Sequence, residues 1–149
     1  MATMTARPGK ANHLNWRLWA LVALGGALGA GSREALSLLI PPVNGVPVVI
    51  ALVNIAGAFL LGFLYEAVTR PGFSTGRASR LKLLLGTGFC GGFTTYSSLA
   101  TDTATLALHG RAGVALLYVA VTVLVGAAAT WAGIVVGSRA TKAGLVERS

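Results

Sequence analysis

Four long apolar runs, separated by short clusters of polar and turn-forming residues, dominate the chain. Leu18 to Ser32, Val48 to Tyr65, Leu83 to Thr101 and Ala112 to Ser138 contain no charged residue. A helix crossing the hydrocarbon core of a bilayer needs about 20 mainly apolar residues. The last three runs meet that length or come close, and the first does so by continuing to Ile40 across Arg33 and Glu34. Lipid offers the backbone no hydrogen bonds, so such runs must be helical. The pattern predicts helices over 16–40, 48–68 and 112–136, and a third hydrophobic segment over 81–108. The middle of that segment, Gly86 to Thr95, is too rich in glycine for a plain helix. Each glycine costs about 1 kcal/mol relative to alanine in a helix interior, so a break is expected there. Pro41, Pro42, Asn44, Gly45 and Pro47 predict a tight turn, His109 to Gly113 a short one, and Pro71, Gly72, Ser74 and Gly76 a loop. The expected architecture is an all-α integral membrane protein with four transmembrane helices, the third broken mid-membrane. It occupies 16–138, between a disordered N-terminal tail over 1–15 and a C-terminal tail over 139–149.

Composition agrees. Hydrophobic residues make up 54% and charged ones 11%, whereas a soluble domain carries about 25% charged residues. That leaves too little polar surface for a water-soluble fold. Arg17 before an apolar stretch, with Ala30, Gly31 and Ser32 after it, resembles a signal peptide, but three further spans follow. The net charge of +8 raises the question of nucleic acid, yet the cations sit in short connections beside spans. They read instead as topological signals. Ten Lys or Arg fall on the side of the tail, the 69–82 loop and the C-terminus, against two on the other. Both termini are therefore expected in the cytoplasm, in a multi-pass protein of the cell inner (plasma) membrane. Cys90, the single cysteine, excludes an intramolecular disulfide, and with only His13 and His109 besides there is no transition-metal cluster.

Five features carry chemistry. Gly86-Thr-Gly-Phe-Cys-Gly91 has the GxGxxG spacing of dinucleotide loops, but no strand precedes it, as that mechanism requires. Gly25 and Gly29 have GxxxG spacing for close helix packing, and Arg33 follows on the same face. Arg33 either pairs with Glu34, snorkels to the interface, or draws anions to a pore mouth. Asn54 is an amide in mid-span, serving either an interhelical hydrogen bond or an anion. Thr94, Ser97, Ser98, Thr101 and Thr105 are spaced to put five hydroxyls in one helical stripe. Such dipoles can replace the water an ion loses, and back-bonding to i−4 carbonyls accounts for only one or two of them. A break over 91–95 frees backbone carbonyls and amides, the groups with which broken membrane helices hold Na⁺ and face anions.

Together these residues resemble the Fluc (CrcB) family of fluoride channels. Gly25-Gly-Ala-Leu-Gly-Ala-Gly-Ser-Arg33 is similar to the first-helix motif, Val53-Asn-Ile-Ala-Gly57 to the second-helix asparagine motif, and Gly88-Phe-Cys-Gly-Gly-Phe-Thr-Thr-Tyr-Ser-Ser98 to the broken third helix. The resemblance covers 18–137. It implies an antiparallel dimer of four-helix subunits with two fluoride pores. It also implies a central structural Na⁺ held by backbone carbonyls, here of Gly91 and Thr94. Asn54 would project into a pore, Ser97, Ser98 and Thr101 would line the anion path, and Arg33 would sit near the vestibule. The family pore has two phenylalanines whose electropositive ring edges face fluoride. Here those positions are Tyr96 and Leu99, which departs from the pattern. The ten-to-two charge bias is a second departure, because an antiparallel homodimer needs one sequence inserted both ways. An inverted homologous partner subunit is the expected solution.

The implied function is passive export of cytoplasmic fluoride, relieving its toxicity, with no enzyme chemistry and no nucleic-acid partner. The alternative is a small four-helix proton-coupled multidrug exporter. That chemistry needs a mid-membrane carboxylate, and neither Glu34 nor Asp102 is well placed for it.

Overall fold

The computed structural model describes residues 16–69 and 74–146, with side chains through 139. The expected N-terminal tail over 1–15 lies outside the described residues. Among the described residues every regular element is helical: α1 (Trp16–Leu39), α2 (Val48–Val68), α3 (Thr75–Leu81), a π-helical stretch (Lys82–Cys90), α4 (Gly91–Phe93), α5 (Tyr96–Leu108) and α6 (Ala112–Val146). The predicted span over 48–68 coincides with α2, whereas α6 runs ten residues past the predicted 136. Among the described residues two unbroken helices are long and apolar enough to cross a membrane: Val48–Val68, mean hydropathy 2.3, and Ala112–Arg139, mean hydropathy 2.2.

Packing divides the bundle into two pairs. The α2 helix lies chiefly on α6, while α1 lies on the π-helical stretch and α4. The third hydrophobic segment then changes partner: after the interruption, α5 packs on α6. The glycines permit the first of these contacts. A Cβ at Gly29 would run into the Phe89 carbonyl, and one at Gly92 into the Gly26 carbonyl. Gly88 and Gly92 therefore serve close backbone approach to α1, and the stretch stays helical through the glycines to Phe93, so the interruption falls at the far end of the expected 86–95 window. The π-helical turn widens the backbone there, as such turns do inside longer helices.

At one end of the bundle, Val43 and Val46 pair through two backbone hydrogen bonds around Asn44 (φ 50°) and Gly45 (φ 76°). Both central residues are left-handed, the conformation that Asn-Gly supplies most cheaply. Arg111 Nη1 donates to the Asn44 carbonyl at 2.8 Å, which ties this turn to the α5–α6 turn. A small core of Val49, Ile50, Val53, Phe93, Leu99, Leu106, Ala115 and Tyr118 lies among α2, α4, α5 and α6. Large apolar side chains on α1, α2 and α6 remain exposed, Leu24, Leu28, Leu52, Leu116, Leu124 and Trp131 among them. So much exposed apolar surface marks contact with lipid or partner protein.

Candidate functional site

The site is built around two threonines. The α4 helix ends at Phe93 and α5 opens at Tyr96; between them Thr94 (φ −81°, ψ 155°) and Thr95 (φ −148°, ψ 119°) are extended. The interruption falls on β-branched residues, which fit extended backbone well.

Neighbouring side chains satisfy the interrupted backbone. Asn54, from α2, donates from Nδ2 to the Thr95 carbonyl at 3.0 Å and accepts from the Thr95 N–H on Oδ1 at 2.7 Å. One amide thus makes both bonds that a neighbouring strand would make. Thr95 Oγ1 accepts from the Ser98 N–H at 3.1 Å and caps α5, a bond worth about 1 kcal/mol. The same hydroxyl lies 3.1 Å from the hydroxyls of Ser97 and Ser98. Thr94 Oγ1 donates back to the Cys90 carbonyl at 2.8 Å. Gly57, one turn beyond Asn54, leaves room for the Thr94 methyl group, which a Cβ there would strike.

These bonds divert two donors. In a continuous helix the Thr95 N–H would serve the Gly91 carbonyl and the Ser98 N–H the Thr94 carbonyl. Here Asn54 Oδ1 and Thr95 Oγ1 take those protons. The carbonyls of Gly91 and Thr94 are thereby deprived of their helical partners.

Arg33 Nε approaches the Gly92 carbonyl at 3.4 Å, so α1 brings its cation against the end of α4. A cleft of about 250 Å³ opens beside it, lined by Arg33, Glu34, Ser37, Ser98 and Asp102 among others. A second, of about 480 Å³, is lined by Asp102, Thr105, His109 and Arg111 with the prolines of the first turn. Asp102 belongs to both, beside the Tyr118 hydroxyl, and among the described residues its buried Oδ2 makes no hydrogen bond of good geometry.

The remaining predicted residues are dispersed. The five-hydroxyl stripe is not one helical face, because Thr94 precedes α5. Ser97, Thr101 and Thr105 are exposed on α5, and Ser98 is half-buried. Tyr96 is 84% exposed and Leu99 only 5%. Leu99 joins the core with Val53 and Phe93 while Tyr96 points out of the subunit, so the two do not meet within one chain. Sequence reasoning passed over Thr95, although a threonine opening Thr-Tyr-Ser-Ser is a helix-start signal. It also undervalued Asp102, the single acidic residue between Lys82 and Arg111.

Comparison with known proteins bears on this arrangement. A profile of the family described as CrcB-like protein, Camphor Resistance (CrcB), matches residues 20–134. The fluoride-specific ion channel FluC 2 of Leifsonia xyli subsp. xyli is 44% identical over 126 residues, 85% of this chain and 87% of the relative. The fluoride-specific ion channel FluC of Deinococcus radiodurans is 40% identical over 129 residues, 85% of this chain and 99% of the relative. That of Methanopyrus kandleri is 42% identical over 114 residues, 76% and 84% of the two chains. With the matched region running from α1 into α6 and containing the whole helix break, this chain belongs to the CrcB family.

Proposed function

We propose that this chain is one subunit of a fluoride-selective channel through which cytoplasmic fluoride leaves passively. The observation that carries the reading is 40–44% identity, over most of the chain, to proteins named fluoride-specific ion channels. The physical need is clear: a bare anion in a low-dielectric core costs tens of kcal/mol. Fluoride, small and strongly hydrated, requires close donors in place of water. The break supplies them in the Ser97 and Ser98 hydroxyls, the amides opening α5, and the second Nδ2 hydrogen of Asn54. The helix N-terminus adds a partial positive charge. Arg33 raises the local anion concentration at the mouth, and Thr101 continues the path along α5. Tyr96 offers a ring or a hydroxyl at the subunit surface; Leu99 offers only apolar packing, so further ring-edge contacts come from the partner.

What a single subunit leaves exposed supports a dimer. Gly91, Ser97 and Thr101 face outward beside the break, and backbone or hydroxyl groups there are poorly served by lipid. A second, antiparallel subunit covers them. The carbonyls of Gly91 and Thr94, stripped of helical donors, fit a hard monovalent cation, so they are the Na⁺ ligands of this reading. The ion supplies positive charge that holds the two breaks together. The protein lies in the cell membrane with both termini in the cytoplasm, and its partner is an inverted homologue.

Fluoride efflux from liposomes, run beside a cation-dye export assay, tests the function. Fluoride efflux without dye export is the expected outcome, and the reverse would establish the exporter. Repeating the measurement in Na⁺-free buffer tests the cation. Efflux or dimer thermal stability should fall, and no change in either would remove Na⁺ from the proposal.

A further inference from the structure

We propose that the cleft between α1 and α3 binds the headgroup of an anionic phospholipid. The cleft has a volume of about 450 Å³ and is lined by Leu21, Ser74, Arg77, Arg80, Leu81 and Leu84, with Gly76 at its edge. Its lining is graded. Arg77 and Arg80, three residues apart on α3, share a face. Leu81 and Leu84 continue that side along the helix, and Leu21 of α1 belongs to the opposite wall. Among the described residues no acidic side chain lines the cleft. Among the described residues neither guanidinium has an ion pair or hydrogen bond. Lys82, the next cation, is occupied elsewhere: its Nζ lies 3.4 Å from Thr69 Oγ1 and 5.3 Å from the centre of the Tyr65 ring.

The depth of the cleft is set by tryptophan. Trp16 and Trp19 begin α1 and are 72% and 66% exposed, and exposed tryptophans at the start of a span sit at headgroup level. Leu21 is two residues further along α1, about 3 Å deeper at helical rise. The Arg pair is thus at phosphate height and the leucines at the first acyl carbons. A free phosphate would use only the first half of this lining. Held by two exposed guanidiniums in water, it would also be screened by salt. A phospholipid uses both halves, and basic pockets of this kind between membrane helices suit anionic headgroups.

The proposal rests on membrane insertion and not on fluoride conduction, so its failure and that of the channel reading are separable. Native mass spectrometry of the purified full chain in neutral detergent, titrated with phosphatidylglycerol or phosphatidylcholine, tests it. Phosphatidylglycerol should stay bound under activation that strips phosphatidylcholine. Arg77→Gln with Arg80→Gln should weaken phosphatidylglycerol binding roughly tenfold, each single variant giving part of that loss. Arg139→Gln, an exposed cation on α6 outside the cleft, should leave it unchanged. Both arginines are exposed, so the variants should keep the wild-type size-exclusion profile. Equal retention of the two lipids, or undiminished phosphatidylglycerol binding in the single and double variants, overturns the proposal. Displacement of phosphatidylglycerol by millimolar inorganic phosphate overturns it too, in favour of a soluble-anion site.

Discussion

Asn54 is engaged through both ends of its amide, and that determines what a substitution there does. Its oxygen and one Nδ2 hydrogen hold Thr95, leaving one hydrogen for an ion. Aspartate would still accept from the Thr95 N–H, but its second oxygen would face the Thr95 carbonyl with no proton between them. A buried group left unsatisfied costs about 1–3 kcal/mol, and the added negative charge repels an anion. Asn54→Asp should therefore reduce fluoride efflux from liposomes to the protein-free rate while the protein keeps the wild-type elution profile. Efflux at the wild-type rate would reduce Asn54 to a bundle-packing residue.

At the level of elements, the interruption at Thr94 and Thr95 lets one hydrophobic segment serve two neighbours. The backbone before it must come close to α1, and the glycines make that possible; after it, α5 is redirected onto α6. The two sides of α1 should respond differently to added volume. At Gly29 a methyl group meets the Phe89 carbonyl, whereas at Gly31 it meets nothing within 4 Å. Overpacking typically costs about 1–3 kcal/mol, and a glycine replaced in an open helix interior gains up to about 1 kcal/mol. Thermal unfolding of the purified protein should thus be lowered by Gly29→Ala and unchanged or raised by Gly31→Ala. Identical melting of the two variants would mean that α1 and the π-helical stretch are not in backbone contact.

For the whole molecule, the issue is how many ways it inserts. Each Lys or Arg carried to a helix centre costs about 2.5–3.5 kcal/mol on the insertion scale, and inversion would translocate most of ten such residues. Arg111 lies on the opposite side, fastened to Asn44 at 2.8 Å where the two turns meet. Single cysteines at Ser74 and Gly110, in a Cys90→Ala background, should each be labelled from one side of the membrane only, Ser74 from the cytoplasm. Expression of the chain alone should give weak fluoride export until an inverted homologue is supplied. Comparable labelling of each site from both sides, or full efflux from the purified single subunit, would instead establish a dual-topology homodimer.

Hydropathy and turn chemistry alone determined the membrane helices, the Asn-Gly turn and the presence of a singular region within 81–108. These follow from composition, because leaving water demands long apolar runs whatever packs beside them. The motif residues were also legible as types: a lone amide, a row of hydroxyls, a glycine face. Their partners were not. A membrane helix is apolar towards lipid and towards its neighbours alike, so its periodicity does not reveal its rotation. Only the tertiary structure decided that Leu99 turns into the core and Tyr96 out of it. Within the expected 91–95 it alone placed the interruption on Thr94 and Thr95, since an extended pair is tolerable only where α2 brings Asn54 to receive it.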